Sequence, residues 1–225
     1  MKWWLAVLLL LIAGVSGAEE PGTWELVGTK DGITVYRKDV PGSALVAFKG
    51  DGVVNAPLIK VVTILLDDDR AQEWVDSLVE SKVVRVINPL EYIELNHIGM
   101  PPLFKDRDFV NDVRMTVDEA AHSFTMVYRS VDDPAMPPNP KYVRGDMMYS
   151  RFVMTSIEHG TKTRIEAELH ADPKGMVPKF LVNFFQKDWP RQTFEGVRRQ
   201  AAKDDIKRPA TFADVLGQVE RVTNW

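Results

Sequence analysis

Two periodicities take turns along this chain. Strand-like runs at 33–40 and 44–54 flank Pro41-Gly42. Such runs on either side of a Pro-Gly turn predict a pair of strands with a period of two. The period then lengthens. Leu58, Val61, Val62, Leu65 and Leu66 recur at helical spacing after Pro57, a residue suited to the first helical position, so 57–74 is expected to form one helix. Strand-like runs follow at 82–87, 92–98, 107–117, 123–131, 147–157 and 163–170, parted by turn signals such as Asn88-Pro89 and His159-Gly160. Long strands joined by tight turns imply an antiparallel meander. The link 132–141, "DDPAMPPNPK", is too long for a hairpin turn, and loops of that kind are often functional. Beyond Pro173, the residues Val177, Phe180, Leu181, Phe184 and Phe185 form a broad apolar face and predict a long core-facing helix, kinked at Pro190. The fold class expected is α+β, a curved antiparallel sheet wrapped around a long C-terminal helix. The tail, 210–225, is expected to add a short helix that closes the domain.

The first eighteen residues stand apart from this pattern. A lone Lys2 precedes an apolar run from Trp3 to Ala13, and Ser16-Gly17-Ala18 fits a small-x-small cleavage site. That is the layout of a secretory signal peptide, and the run is short for a span of about 20 residues. Its removal leaves 19–225 as a single domain, with a core at about 24–203 and an extension at 204–225. The domain is then expected to work in a periplasm or outside the cell.

Composition excludes several classes of chemistry. The chain of 225 residues is 45% hydrophobic and 27% charged, an ordinary globular balance for one medium domain. A net charge of -4 offers no basic stripe for nucleic acid. With no cysteine there is no disulfide, thiolate nucleophile or Cys-ligated metal. His97, His122, His159 and His170 lie too far apart for a His-pair metal motif, so no metal and no cofactor are expected. The "GDGVVN" stretch at Gly50 is a broken glycine motif between strands, and Asp67–Asp69 reads as a solvated run at a helix end. Nothing marks a catalytic triad.

"RDFV", 107–110, places a phenylalanine beside two charged residues at the start of a strand. With "DGITVYRKDVPGS" (31–43), "SVDDPAMPPNPKYVRG" (130–145) and "HADPKGMVPKFLVNFF" (170–185), in that order, it resembles the START domain, the steroidogenic-acute-regulatory-related lipid-transfer family. The resemblance covers about 24–203. It implies a helix-grip fold with an internal cavity that shelters one lipid. It also implies that Phe109 buries apolar surface while Arg107 and Asp108 tie the neighbouring loop to the sheet. Tyr128, Met136, Val177, Phe180, Leu181 and Phe184 would contact the lipid, and the 132–141 loop with the last helix would form the mouth.

Sterol-binding members carry a buried carboxylate and, soon after the RDFV motif, an arginine. Glu94 stands where that carboxylate is expected. Arg114 lies seven positions after Arg107 where the family usually has six, and position six here is Val113. A β-bulge would absorb the extra residue. Strand alternation leaves two placements open: Glu94 and Arg114 face the cavity as a pair, or both face solvent, Glu94 beside Asn96 and Arg114 beside Asp112 and Thr116.

The function expected is non-catalytic binding and transport of one hydrophobic lipid by a monomer that touches membranes transiently. A helix-grip enzyme of the cyclase or hydrolase type and a lipid-sensing interaction module are the alternatives. Sterol, phospholipid, hopanoid, fatty acid and carotenoid all remain open as ligands.

Overall fold

The computed structural model describes residues 22–223; the expected signal segment, 1–18, lies outside them. The chain opens with β1 (Glu25–Lys30), β2 (Ile33–Lys38) and β3 (Ala47–Val54), then α1 (Leu58–Leu65) and a 3-10 helix, Asp68–Glu73. Next come β4 (Leu78–Asn88), β5 (Glu91–Ile98), β6 (Arg107–Asp118), β7 (Ser123–Ser130), the two-residue β8 (Val143–Arg144), β9 (Asp146–Ile157) and β10 (Lys162–Asp172). The chain ends in α2 (Lys179–Gln186), α3 (Trp189–Ala201) and α4 (Ala213–Thr223). The sheet runs β1-β2-β3-β10-β9-β7-β6-β5-β4 and is antiparallel along that path, with β8 parallel to the start of β6. Hairpin connections build most of it. The exception is the join of β3 to β10, which brings the first strands beside the last.

Inward-facing residues of this sheet pack on α1, α3 and α4. Ile33, Val54, Val113, Phe124, Met126, Met154 and Ile165 meet Leu58, Val61, Val62, Phe194, Val215, Leu216 and Val219 in one continuous core. The tail helix α4 is thus built into the core, and the Thr223 hydroxyl accepts from the Ile59 amide at 3.1 Å. A second, smaller cluster joins Leu45, Val177 and Val182, with Phe104, Met148 and Leu181 against it.

Three elements differ from the sequence expectation. β1 was not foreseen, because all six of its residues are exposed and no inward stripe betrays it. The helix expected over 57–74 stops at Leu65 and resumes as the 3-10 helix. Three consecutive aspartates are poor helix formers and would set negative charge against the negative end of the helix dipole. The expected long C-terminal helix is two helices rather than one kinked helix. Pro190 sits in the first turn of α3, where its missing N–H removes no helical bond.

The glycines of "GDGVVN" serve packing. The Phe194 ring of α3 lies directly over β3, and a Cβ on Gly52 would stand 2.9 Å from Phe194 Cε1 and 3.2 Å from the Gly32 carbonyl oxygen. A Cβ on Gly50 would stand 2.8 Å from Pro190 Cβ. Gly52→Ala is expected to lower stability by about 1–3 kcal/mol through this overpacking. In a urea melt the midpoint should fall with little change in slope; an unchanged midpoint would mean that α3 does not press on β3.

Candidate functional site

Between the sheet, the 3-10 helix and α2–α3 lies a cavity of about 290 Å³. Leu65, Phe109, Met147, Phe152, Leu169 and Trp189 give it apolar walls. Tyr128, Phe152 and Trp189 form an aromatic run along one side, each successive pair 6.0 Å apart and edge-on. Strand parity selects these residues. On β7, Phe124, Met126 and Tyr128 point inward; on β9, Ser150, Phe152 and Met154 do.

One side of the cavity is polar. The Tyr92 hydroxyl donates to Glu94 Oε2 at 3.3 Å, and the Asn96 amide donates to Glu94 Oε1. Asn96 pairs across the sheet with Ser81, whose hydroxyl donates to Asp68 Oδ1 at 2.9 Å. Asn111, opposite Glu94 on β6, also lines the cavity. Asp68 and Trp74 also line the cavity, and among the described residues the buried Asp68 Oδ2 and Trp74 indole N–H have no hydrogen-bond partner.

Glu94 is 4% exposed. Burial pushes its carboxyl from the ordinary value near 4.5 up to about 8, with the Asp68 charge adding to the shift. Asp68 is raised to about 6, again chiefly by burial. Burial likewise pushes the phenols of Tyr92 and Tyr128 well above their usual range.

Arg114 does not join this group. Its side chain is 69% exposed and bonds Glu91 and Asp112 on the outer face. The expected Glu94–Arg114 pair therefore does not form. No bulge interrupts β6 against β5 or β7, so the period of two carries Val113 inward and Arg114 outward.

The RDFV motif is a junction. Arg107 is almost fully buried. Its Nε donates to the Pro173 carbonyl and its Nη2 to the Lys174 carbonyl, both at 3.1 Å, and its Nη1 donates to the Lys105 carbonyl. Asp108 accepts from Arg144 Nη2 of β8 at 2.9 Å. The Phe109 ring lines the cavity and presses on Gly145, where a Cβ would stand 2.3 Å from it. This one stretch fixes β8, the loop before β6 and the approach to α2 around a cavity wall.

Of the other expected contact residues, Tyr128 lines the cavity and the rest do not. Val177 and Leu181 belong to the smaller cluster. Phe180 and Phe184 point outward, 71% and 55% exposed. They share the stripe of α2 opposite Val182, and the eight-residue helix buries only the Val182 side. Met136 is half-buried outside the cavity, and its carbonyl accepts from Arg144 Nη2 at 3.1 Å. Its loop, expected to form the mouth, is pinned as well by Asp133, which accepts from Arg85 Nη2 at 2.9 Å. Sequence reasoning missed Asp68, Trp74, Asn111 and Gln186. Parity with Phe109 could have flagged Asn111. No local signal marks Asp68, whose neighbours Asp67 and Asp69 disguise it as part of a solvated run.

The raised Glu94 carboxyl has a consequence for stability. A raised acid binds its proton more tightly in the folded state, so stability is full below about pH 4.5 and falls as pH rises toward about 8. The Asp68 contribution ends by about pH 6, so the decline above that belongs to Glu94. Glu94→Gln keeps the shape and removes the charge. It should flatten a slope of up to about 1.4 kcal/mol per pH unit between roughly pH 6 and 8. Urea midpoints across that range decide: parallel slopes in wild type and variant would show that Glu94 ionises freely in the fold.

The sequence matches the START domain family over residues 15–192. An uncharacterized protein of Pseudomonas aeruginosa is 24% identical over 199 residues, spanning 88% of this chain and 96% of that one. Among solved structures, human STARD10 superposes with a TM-score of 0.74 at 18% identity, covering 80% of this chain and 74% of that chain. A fragment of a STAR-related lipid transfer protein from Xanthomonas axonopodis gives 0.71 at 22% identity, covering 80% of this chain and 99% of that fragment. The sheet wrapped on C-terminal helices, the RDFV junction and the match over most of the chain agree, and the protein belongs to the START domain family.

Proposed function

We propose that this protein carries one lipid molecule in its cavity and exchanges it with membranes, without chemical turnover. The observation that carries this reading is the cavity itself: aromatic and aliphatic walls with a compact polar group on one side, inside a START domain. Each CH₂ sheltered there contributes about 0.8 kcal/mol, and the polar group orients the head. Ser43 Oγ and His170 Nε2 stand 3.2 Å apart, but neither residue lines the cavity, and no histidine does among the described residues.

An apolar patch supplies a membrane contact. Phe180, Phe184 and Met176 are exposed on and before α2, and Leu103 adjoins Phe104 of the smaller cluster beneath them. Lys174 and Lys179 flank the patch, both paired with Asp172 and Lys174 with Asp146 as well, and the Lys187 ammonium lies 4.3 Å from the centre of the Phe184 ring. Apolar tips with a lysine rim suit an anionic bilayer surface.

Organic extraction of the purified protein followed by mass spectrometry is expected to recover one lipid per chain. Phe180→Ser/Phe184→Ser should slow lipid exchange between anionic vesicles about tenfold and shift stability by less than about 0.5 kcal/mol, since both side chains are exposed. A consistently lipid-free protein that turns over an ester substrate would overturn the reading; wild-type exchange by the double variant would move the contact elsewhere.

We also propose that residues 1–18 are a cleaved leader and that the domain works outside the cytoplasm. The leader-like pattern of those residues supports this. Mass spectrometry of the protein from its native host should find an N-terminus near Glu19. A chain retaining Met1 in the cytosolic fraction would refute it.

A further inference from the structure

We propose that the polar side of the cavity is a head-group site for a long-chain amino alcohol, with the ammonium between Asp68 and Glu94 and the hydroxyl oxygen at the Trp74 indole N–H. The inference rests on the carrier reading above and narrows its ligand.

The two carboxylates reach the cavity from different elements, Asp68 from the 3-10 helix and Glu94 from β5, and the Ser81–Asn96 cross-strand pair links them. Among the described residues neither has an ion-pair partner, and no lysine, arginine or histidine lines the cavity. The third acid there, Asp76, is half-exposed and has its own cation in Arg199 at 3.8 Å. A carboxyl group taken out of water holds its proton until a counter-charge reaches it; an ammonium entering this cavity would supply that charge, and the Glu94 proton would leave to solvent.

The unpartnered atoms narrow the choice further. Among the described residues, Asp68 Oδ2 is a buried acceptor with no donor. Trp74, more than nine-tenths buried, has an indole N–H with no acceptor among them. A head bearing both a protonated amine and a neighbouring hydroxyl meets both needs. A fatty-acid carboxylate or a phosphate would instead set like charge against like. The aromatic walls at Trp74 and Tyr128 add faces that favour a cation.

The test uses three probes with one chain length: 2-aminododecanol, dodecanol and dodecanoate. Each is titrated below its micelle concentration near neutral pH, by calorimetry and by the fluorescence of Trp74 and Trp189. The amino alcohol is expected to bind at least about tenfold more tightly than dodecanol, with dodecanoate weakest. In Asp68→Asn/Glu94→Gln the amino alcohol should fall to within about twofold of dodecanol, whose own affinity holds. Asp68→Asn alone should give an intermediate preference, so the outcome does not hang on the double variant folding. Equal binding of amino alcohol and dodecanoate by the wild type, or a preference that survives removal of the carboxylates, would overturn the inference and leave carriage standing. Failure of all three probes to bind would likewise overturn the inference, while carriage stands or falls on the extraction experiment.

Discussion

A wide antiparallel sheet has an apolar inner face that must be kept from water, and everything else in this protein follows from how that face is covered. Helices α1, α3 and α4 lie over part of it and pack to close contact. That closeness is possible because β3 offers Gly50 and Gly52 to the Phe194 ring. Toward Phe152, Leu169 and Tyr128 the helices leave a gap, with Trp189 of α3 and Gln186 of α2 on its far side. Cores are normally filled to the density of organic crystals, so a lined void beside a tight core is a built feature of the fold.

Holding a void open requires walls that do not collapse, and the RDFV junction supplies one. Arg107 has five donors in a rigid fork. Three backbone carbonyls, of Lys105, Pro173 and Lys174, accept from it. Those carbonyls lie in irregular chain on both sides of the cavity wall and have no sheet partner to satisfy them. The Arg107 guanidinium is itself buried, and a buried donor left unbonded costs about 1–3 kcal/mol or more, so meeting these carbonyls ties two loops to one side chain. Asp108 does the same for β8 through Arg144. Phe109, between them in space, turns its ring to the cavity. The mixture of charge and aromatic in one short stretch is therefore the chemistry of a wall whose outer edge is loop and whose inner face is apolar.

The cavity's polarity is the less ordinary feature. Glu94 and Asp68 sit in it with hydrogen bonds but, among the described residues, no cation; burial raises both, and the Asp68 charge makes Glu94 harder still to ionise. Such an arrangement weakens the empty protein at neutral and alkaline pH, by the proton linkage of a raised acid. A site that is unfavourable when empty and becomes favourable when a complementary ligand arrives discriminates among ligands by charge, a property that apolar walls alone cannot provide.

Most of the element order, the strand parity and the turn signals were legible in the sequence, because each depends on residues close together in the chain. The alternation along β5 and β6 already grouped Glu94 with Asn96 and Arg114 with Asp112 and Thr116. A bulge would have reversed Arg114, and whether one exists is a property of the pairing across strands. The phase of α2 was ambiguous for a related reason: Phe180 and Phe184 are as apolar as Val177 and Val182, and only the position of the smaller cluster decides which stripe is covered. Asp68 was beyond local reading altogether. What makes it a cavity residue is a 3-10 helix that turns it toward Ser81 on β4 and Glu94 on β5. The sequence by itself determined which residues share a face, since that follows from backbone period. The tertiary structure alone decided which faces meet, because burial and charge depend on segments far apart in the chain.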